Sequence, residues 1–246
     1  ITAVDLRLRP IPAHRVTAVC GFDDLEALVA TGRELRDIDT VAACEIIDGR
    51  GARLAAEHAD QPAPVPGDWL LLVELAGDED PTDRLASALA QAPMCAAPAV
   101  GVDIASQQRL WQLRESMAEV VGLFGPPLKF DVSLPLSSIA SFATEAAALV
   151  DRSTEHAVPV LFGHVGEGNL HLNVLRCEPE EEMALYGPMM ELIAVHGGNV
   201  SSEHGVGSRK RAYLGMSRGP EDIAVMRAIK SALDPTGYLN RAVLFD

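Results

Sequence analysis

Basic residues are scarce in this sequence of 246 residues, which has 20 Lys and Arg against 35 Asp and Glu and a formal net charge of −15. A surface that binds the phosphates of nucleic acid needs concentrated positive charge. We therefore expect no nucleic-acid partner, and solubility is the simpler explanation of the acidic excess. Hydrophobic residues make up 48% of the chain. At this length they predict a folded core, in one large domain or two small ones.

Cysteines and long apolar runs are also few. The four cysteines are widely spaced and form no Cys-x-x-Cys pair; they are Cys20, Cys44, Cys95 and Cys177. This pattern predicts buried, reduced thiols and a cytoplasmic location. No apolar run reaches the ~18 residues that indicate a membrane-spanning helix. We find no internal repeat and no low-complexity segment that would indicate a repetitive or disordered chain.

The two ends of the sequence differ from its middle. Residues Ile1–Leu8 have the apolar alternation of a strand, and Arg9–Pro12 contains two prolines that block regular structure. We expect residues 1–12 to be the end of a preceding domain and its linker. Residues 13–205 are then predicted to form one domain, and residues 206–246 a helical C-terminal segment.

Short predicted strands alternate with helices through the first half of the chain. One of them, Trp69–Ala76, is apolar enough to be a fully buried strand. This alternation fits either a parallel α/β sheet or an α+β sandwich. Because the strands and several connections are short, we predict an α+β fold in which helices cover one face of an antiparallel sheet.

The segment Gly163–Asn173, GHVGEGNLHLN, lies between two runs of residues that favour strands. Its centre, Gly166–Asn169, is typical of a tight turn because Gly and Asn tolerate positive φ. We predict a β-hairpin in which His164 faces His171. Opposed side chains have Cβ atoms about 4.5–5.5 Å apart, so these two imidazoles can hold one metal ion. Asn173 then lies on the same face as His171.

A second unusual segment, Gly197–Lys210, reads GGNVSSEHGVGSRK and has no periodic apolar pattern, which predicts a loop. Glu203 and His204 lie in its middle. A carboxylate from this loop would add a third ligand and leave an open position, the arrangement of a catalytic metal. The alternative is that the hairpin histidines, Glu203 and His204 are ordinary polar surface residues. Two His and one carboxylate suit Zn²⁺, Mn²⁺, Fe²⁺ or Co²⁺.

Together with Ala232–Asn240, ALDPTGYLN, these two segments resemble the C-terminal half of flavin-dependent 2-hydroxy-acid dehydrogenases. That family includes D-lactate dehydrogenase, D-2-hydroxyglutarate dehydrogenase and the glycolate oxidase D subunit. The resemblance covers nearly the whole chain, is dense from about Leu110 onward, and is specific to the family and not to one substrate. It implies a ferredoxin-like cap domain, with FAD bound mainly by a flavin domain outside this chain. Residues 206–246 would pack on that flavin domain.

The resemblance also implies roles for single residues of the two segments. The residues that match His164, His171 and Glu203 bind a divalent metal in the family, commonly Zn²⁺. The residue that matches His204 is the general base, which takes the hydroxyl proton as hydride leaves for the flavin. Glu167, in the hairpin turn, stands where the family commonly has Asp.

Four further positions carry implied contacts. The Arg that matches Arg114 binds the substrate carboxylate, a task that suits its guanidinium fork. Lys129 matches a second cationic contact and Asn173 a polar one. Asn240 matches an Asn that touches the flavin, although the usual continuation Pro-Gly-Lys is replaced here. Position 118 is Ala, where D-2-hydroxyglutarate dehydrogenases typically have a residue with a hydroxyl group. This difference weakens the assignment of a dicarboxylate substrate.

We therefore predict the substrate- and metal-binding half of an FAD-dependent dehydrogenase that oxidises a D-2-hydroxy acid to the 2-oxo acid. Its partners would be a small 2-hydroxy acid, a flavin-binding domain and an electron acceptor that the sequence does not identify; a homodimer is an open alternative to a single copy. Without the flavin domain we expect no oxidation, because no side chain can accept hydride. Two alternatives are a non-catalytic metal-binding or assembly domain and a metal-dependent hydrolase.

Overall fold

A single antiparallel sheet of seven strands organises the computed structural model, which describes residues 2–59 and 62–245. The strands are β1 His14–Phe22, β2 Val41–Asp48, β3 Trp69–Gly77, β4 Ala99–Gly101, β5 Leu128–Ser133, β6 Val158–His164 and β7 Asn169–Leu175. Their order in the sheet is β4-β1-β3-β2-β6-β7-β5, and every neighbouring pair is antiparallel. The α+β class with an antiparallel sheet is confirmed.

Helices fill most of the connections between these strands. They are α1 Leu25–Arg36, α2 Gly49–Ala59, α3 Thr82–Leu89, α4 Ile104–Glu115, α5 Met117–Val120, α6 Ile139–Ser153, α7 Pro179–Val195, α8 Leu214–Ser217 and α9 Pro220–Leu233. Local sequence sets several starts: Asp24 accepts two backbone N–H groups at the start of α1, and Pro179 occupies the first turn of α7. Among the residues described, no helix combines the length and apolar character that crossing a bilayer requires.

The core lies on both faces of the sheet. Because successive strand residues face opposite sides, Leu71 and Val73 of β3 pack in one layer with α1, α3, α6 and α7, whereas Leu70 and Leu72 pack in another with α2, α4 and α5. Helices therefore cover both faces of the sheet, whereas the sequence predicted helices on one face. The physical reason is the nearly continuous apolar run of β3, since a strand that is apolar on both sides needs burial on both.

The N-terminal segment forms no strand where the structure describes it, at residues 2–12, and Ile1 lies outside the described residues. Its assignment to the end of a preceding domain and a linker stays a prediction. The side chains of Val4, Leu6 and Leu8 are 70%, 76% and 88% exposed. A strand needs a partner for its backbone groups, and residues 2–12 pair with none of the seven described strands.

The C-terminal segment buries little. Helix α9 has no buried residue in the described structure, and its Val225, Ile229 and Leu233 are 59%, 55% and 79% exposed. These apolar side chains are unusual on a helix surface, because an amphipathic helix normally buries its apolar stripe. The division into residues 13–205 and 206–246 stays a prediction.

The cysteines are free thiols, but they are not all buried. Cys20 and Cys44 are buried within the sheet, Cys177 is half-buried and Cys95 is exposed, so the expectation of four buried thiols is wrong for Cys95. Cys95 lies in the segment before β4, where its Sγ is 3.2 Å from the Pro66 carbonyl oxygen. Burial raises the pKa of Cys20 and of Cys44 to about 12, which keeps both thiols neutral.

Candidate metal and substrate site

The predicted hairpin is formed by β6 and β7, with a register that differs from the prediction. His164 lies opposite Asn169, and His171 lies opposite Phe162. The turn has the predicted four residues but lies one residue earlier, at 165–168, where the N–H groups of Glu167 and Gly168 bond back to the carbonyls of His164 and Val165. The predicted pairing is thus wrong by two residues. A shift of two keeps each side chain on its face, and the two imidazole centroids lie 5.8 Å apart.

The predicted metal ligands come together on this face of the sheet. The ligand atoms of His164, His171 and Glu203 all lie within 4.8 Å of one another. His164 Nε2 is 3.5 Å from Glu203 Oε1, and Asn169 Nδ2 donates a hydrogen bond to the same oxygen. The hairpin and the distant loop therefore converge as two nitrogens and one carboxylate.

Asp131 of β5 anchors that loop. It lies opposite His171 in the register, and its Oδ2 accepts the backbone N–H groups of Ser202, Glu203 and His204 at 3.0, 2.8 and 2.8 Å. Burial alone would raise the pKa of Asp131, but the N–H groups of His204 and Glu203 outweigh it and leave the pKa below its usual value. An ionised, buried carboxylate thus fixes three consecutive loop residues.

Glu45 of β2 holds His164 from the other side. Its Oε1 lies 2.6 Å from His164 Nδ1, and its Oε2 accepts the Arg114 Nε–H at 2.8 Å. The hydrogen bond from Glu45 raises the pKa of His164 against the effect of burial. Burial would raise the pKa of Glu45 itself, but His164 and Arg114 together lower it. The carboxylate is therefore ionised between two donors.

The donor set fits a divalent ion. Each hairpin imidazole has Nδ1 beside a carboxylate: His164 beside Glu45, and His171 with its Nδ1 3.7 Å from Asp131 Oδ1. Neither His171 Nδ1 nor Asp131 Oδ1 has a hydrogen-bond partner among the described residues. For His164, the hydrogen bond between Nδ1 and Glu45 leaves Nε2 as the ligand atom. Burial lowers the pKa of His171, which favours the neutral form that binds metal.

His204 lies beside this group. Its ring stacks on that of His171, with centroids 5.6 Å apart and planes 8° apart. The side-chain ligand atoms of Asp131, His171 and His204 also lie within 4.8 Å of one another. His204 is exposed where Asp131 is buried, so its imidazole is accessible to a molecule that enters from solvent.

Arg114 reaches the same face from α4. Its guanidinium lies over the Phe162 ring, 4.8 Å from the centroid, and its side chain is 14% exposed. With His164 and Glu45 it lines a cleft of about 610 Å³, to which Glu167 in the hairpin turn also contributes. Clefts of roughly 300–1,000 Å³ are typical of small-molecule sites.

Of the other predicted contact residues, two lie on the same face of the sheet as the histidines and one lies in the C-terminal segment. Asn173 and Lys129 lie opposite each other, two residues along β7 and β5 from the His171–Asp131 pair and therefore on the same face. Asn173 is buried, with its Nδ2 donating to the His171 carbonyl at 3.2 Å, whereas Lys129 is exposed. Asn240 is exposed and has a positive φ of 51°; it follows α9 and belongs to the C-terminal segment.

Glu45, Asp131, Asn169 and Lys210 were not among the predicted site residues. Lys210 is buried at 8% exposure, its Nζ has no hydrogen-bond partner among the described residues, and burial lowers its pKa. The signal for Glu45 was a single charge within the apolar run Cys44–Ile47, and for Asp131 its place on the polar side of an alternating strand. Neither pattern indicates which residues the carboxylate contacts in the folded chain.

Comparison with known proteins gives a family. The model of the FAD linked oxidases, C-terminal domain, matches residues 11–244. D-2-hydroxyglutarate dehydrogenase of Stutzerimonas stutzeri (strain A1501) is 29% identical over 258 residues, which is 100% of this chain and 55% of that protein. The mitochondrial D-2-hydroxyglutarate dehydrogenase of Bos taurus is 32% identical over 250 residues, 98% of this chain and 46% of that protein. The chain spans about half the length of these relatives.

Two solved structures share the fold. The 4-ethylphenol oxidase of Gulosibacter chungangensis superposes with a TM-score of 0.66 at 17% identity, covering 96% of this chain and 54% of that one. For p-cresol methylhydroxylase the TM-score is 0.67 at 16% identity, with 96% and 53% covered. At these identities the likeness shows the fold alone. Because the family model spans residues 11–244, the chain belongs to the FAD-linked oxidases and matches their C-terminal domain.

Proposed function

We propose that this chain is the substrate- and metal-binding half of an FAD-dependent dehydrogenase that oxidises a D-2-hydroxy acid to the 2-oxo acid. The observation that carries the proposal is the position of Arg114 beside the His164, His171 and Glu203 donor group, joined to it through Glu45. A 2-hydroxy acid has a carboxylate next to a hydroxyl, and this site offers a cation next to a metal-ligand group. Relatives named D-2-hydroxyglutarate dehydrogenase support the substrate class.

Arg114 and His204 supply the contacts that the reaction needs from this chain. Arg114 uses its Nε for Glu45, which leaves its two terminal nitrogens to bind the substrate carboxylate in a bidentate manner. His204, exposed beside His171, accepts the substrate hydroxyl proton. His164, His171 and Glu203 would hold a metal that would lower the pKa of that hydroxyl, and a bound flavin would supply the hydride acceptor. Asn173 and Lys129 lie on the same face for further polar contacts.

The flavin would be held mainly by a domain outside these residues. The apolar side chains Val225, Ile229 and Leu233 of α9 are more than half exposed, which supports the proposal that the C-terminal segment packs on such a domain. Exposed Asn240 would contribute a contact to the flavin. A cytoplasmic location stays a prediction from the free thiols.

Steady-state kinetics of the full-length protein tests this function. With D-lactate and D-2-hydroxyglutarate as substrates and a redox dye as acceptor, His204→Asn should lower kcat and kcat/KM together by about 10²–10⁴-fold, because a general base acts in the transition state. Both acids are tested because Ala118 lacks the side-chain hydroxyl that is typical of D-2-hydroxyglutarate dehydrogenases at this position. His156→Asn, at an exposed histidine with a 79% exposed side chain, is the matched control. A His204→Asn enzyme with normal kcat would remove His204 from the mechanism.

A further inference from the structure

Glu45 makes contact with two functional groups at once. The residue is 5% exposed on β2, with its Oε1 2.6 Å from His164 Nδ1 and its Oε2 2.8 Å from Arg114 Nε. These partners are 119 and 69 positions away in the chain. One buried carboxylate therefore joins a proposed metal ligand to the proposed cation for the substrate carboxylate.

The sheet explains how this contact arises. In the β2–β6 ladder Ile46 lies opposite Gly163 and Ile47 opposite Phe162, so the next pair along places Glu45 opposite His164. A charged side chain within an apolar strand is costly to bury unless it is paired. His164 and Arg114 contact one oxygen each, so both oxygens of the buried carboxylate are paired.

We propose that Glu45 is a positioning residue that fixes His164 and Arg114 relative to each other. It keeps the His164 proton on Nδ1, so that Nε2 is the atom left for the metal. It also occupies Arg114 Nε, which leaves the terminal nitrogens for the substrate carboxylate. The inference rests on the proposed metal and substrate functions of these two residues.

Glu74 provides a matched comparison within the same layer. It is 6% exposed on β3 and accepts the Trp111 Nε1–H at 2.8 Å, the Thr17 hydroxyl at 3.0 Å and an Arg15 Nη1–H at 2.5 Å. Trp111 precedes Arg114 by about one turn of α4. Glu74 therefore links α4 to the sheet as Glu45 does, but its hydrogen-bond partners are Arg15, Thr17 and Trp111 and not the proposed metal ligand or Arg114. Glu74→Gln measures the effect of losing a buried charge beneath α4.

A glutamine at position 45 separates the two roles of the carboxylate. Its amide has an oxygen that accepts on one side and a nitrogen that only donates on the other. Arg114 Nε–H can only donate, whereas a neutral imidazole can change tautomer, so we expect the oxygen to stay with Arg114. The amide N–H₂ then faces His164 and favours a proton on Nε2. That tautomer cannot use Nε2 as a metal ligand, and we expect weaker metal binding as a result.

The first measurement is the tautomer of His164 in the metal-free chain. Long-range ¹⁵N NMR at about pH 9, where an ordinary imidazole is neutral, should show His164 as the Nδ1–H tautomer in wild type and in Glu74→Gln. Glu45→Gln should show a mixture or the Nε2–H form, and His164→Gln identifies the signal. A Glu45→Gln spectrum with an unchanged Nδ1–H signal overturns the proposal.

The second measurement is Zn²⁺ titration of the metal-free chain by calorimetry. Glu45→Gln should bind Zn²⁺ about 10–100-fold more weakly than wild type, and Glu74→Gln should bind it as wild type does. If Glu45→Gln does not fold, Glu45→Asp, whose shorter side chain cannot span both donors, should show the same loss. Equal affinity in wild type and the Glu45 variant overturns the proposal while the metal site stands. Absence of Zn²⁺ binding in wild type defeats the metal function instead, and the tautomer then decides the role of Glu45.

Discussion

The carboxylate of Asp131 accepts the backbone N–H of His204 at 2.8 Å across 73 positions of sequence. The same oxygen accepts the N–H groups of Ser202 and Glu203. Asp131 is 1% exposed and belongs to a strand, so it is part of the rigid sheet. A sheet residue therefore sets the position of the loop that carries the proposed third ligand and the proposed base.

Asp131→Asn should weaken both the fold and the metal site. A neutral amide oxygen accepts these three N–H groups less strongly than a carboxylate, so we expect the free energy of unfolding to fall by about 1.5–3 kcal/mol. Zn²⁺ affinity should fall with it, because Glu203 is no longer held. Urea denaturation and calorimetric titration measure the two effects.

The control for this variant is Asp24→Ala. Asp24 accepts the N–H groups of Glu26 and Ala27 at the start of α1, and its loss should lower stability by about 1 kcal/mol without changing Zn²⁺ affinity. Wild-type affinity in Asp131→Asn would show that the loop is positioned by other contacts.

Gly168→Ala should destabilise the hairpin. Gly168 has a φ of +75°, and a Cβ added there would lie 2.2 Å from the Leu134 carbonyl oxygen. The left-handed backbone alone costs about 1–2 kcal/mol for an L-residue, and the contact with backbone adds to it. Gly215→Ala is the control, since a Cβ there meets nothing within 4 Å. Equal midpoints of urea unfolding in the two variants would contradict this account of the turn.

Acid should release the segment that follows α9. Asp234 bonds to the Lys230 side chain and accepts the N–H groups of Tyr238 and Leu239, and these contacts hold its pKa below the usual value. A lowered pKa means that the stabilisation is complete above the ordinary carboxyl pKa of about 3.9 and is lost as pH falls through the lower, folded value.

Amide hydrogen exchange measures this release. Protection factors of Tyr238 and Leu239 should fall in that acidic range in wild type and should already be low near neutral pH in Asp234→Asn. Glu221→Gln, at an acidic residue in the first turn of α9, is the control and should keep the wild-type profile. Protection that is independent of pH would mean that Asp234 does not order the segment.

The hairpin shows why part of the site could be predicted from sequence. The register was wrong by two residues, since His164 lies opposite Asn169 and not His171. Side chains alternate with a period of two, so an even error keeps both histidines on one face. The predicted placement of the two histidines on one face therefore survived an error in the position of the turn.

The carboxylates that hold the site show why the rest could not be predicted. Glu45 and His164 are 119 positions apart, and the contact depends on the pairing of β2 with β6. Asp131 lies opposite His171 only because β5 pairs with β7. Strand order comes from tertiary packing, and local pattern in the sequence does not specify it. Partners across strands therefore stay unidentified even where each strand is predicted.

The central claim is that His164, His171 and Glu203 hold one divalent ion. Elemental analysis of the chain, loaded with Zn²⁺ and freed of excess by gel filtration, tests it most directly. A His58→Ala/His156→Ala variant, which removes two exposed histidines, controls for non-specific binding, and circular dichroism checks the fold. We predict about one ion per chain in wild type and in this control, and less than about one tenth in His164→Ala/His171→Ala. Equal metal content in wild type and the hairpin variant would contradict the account.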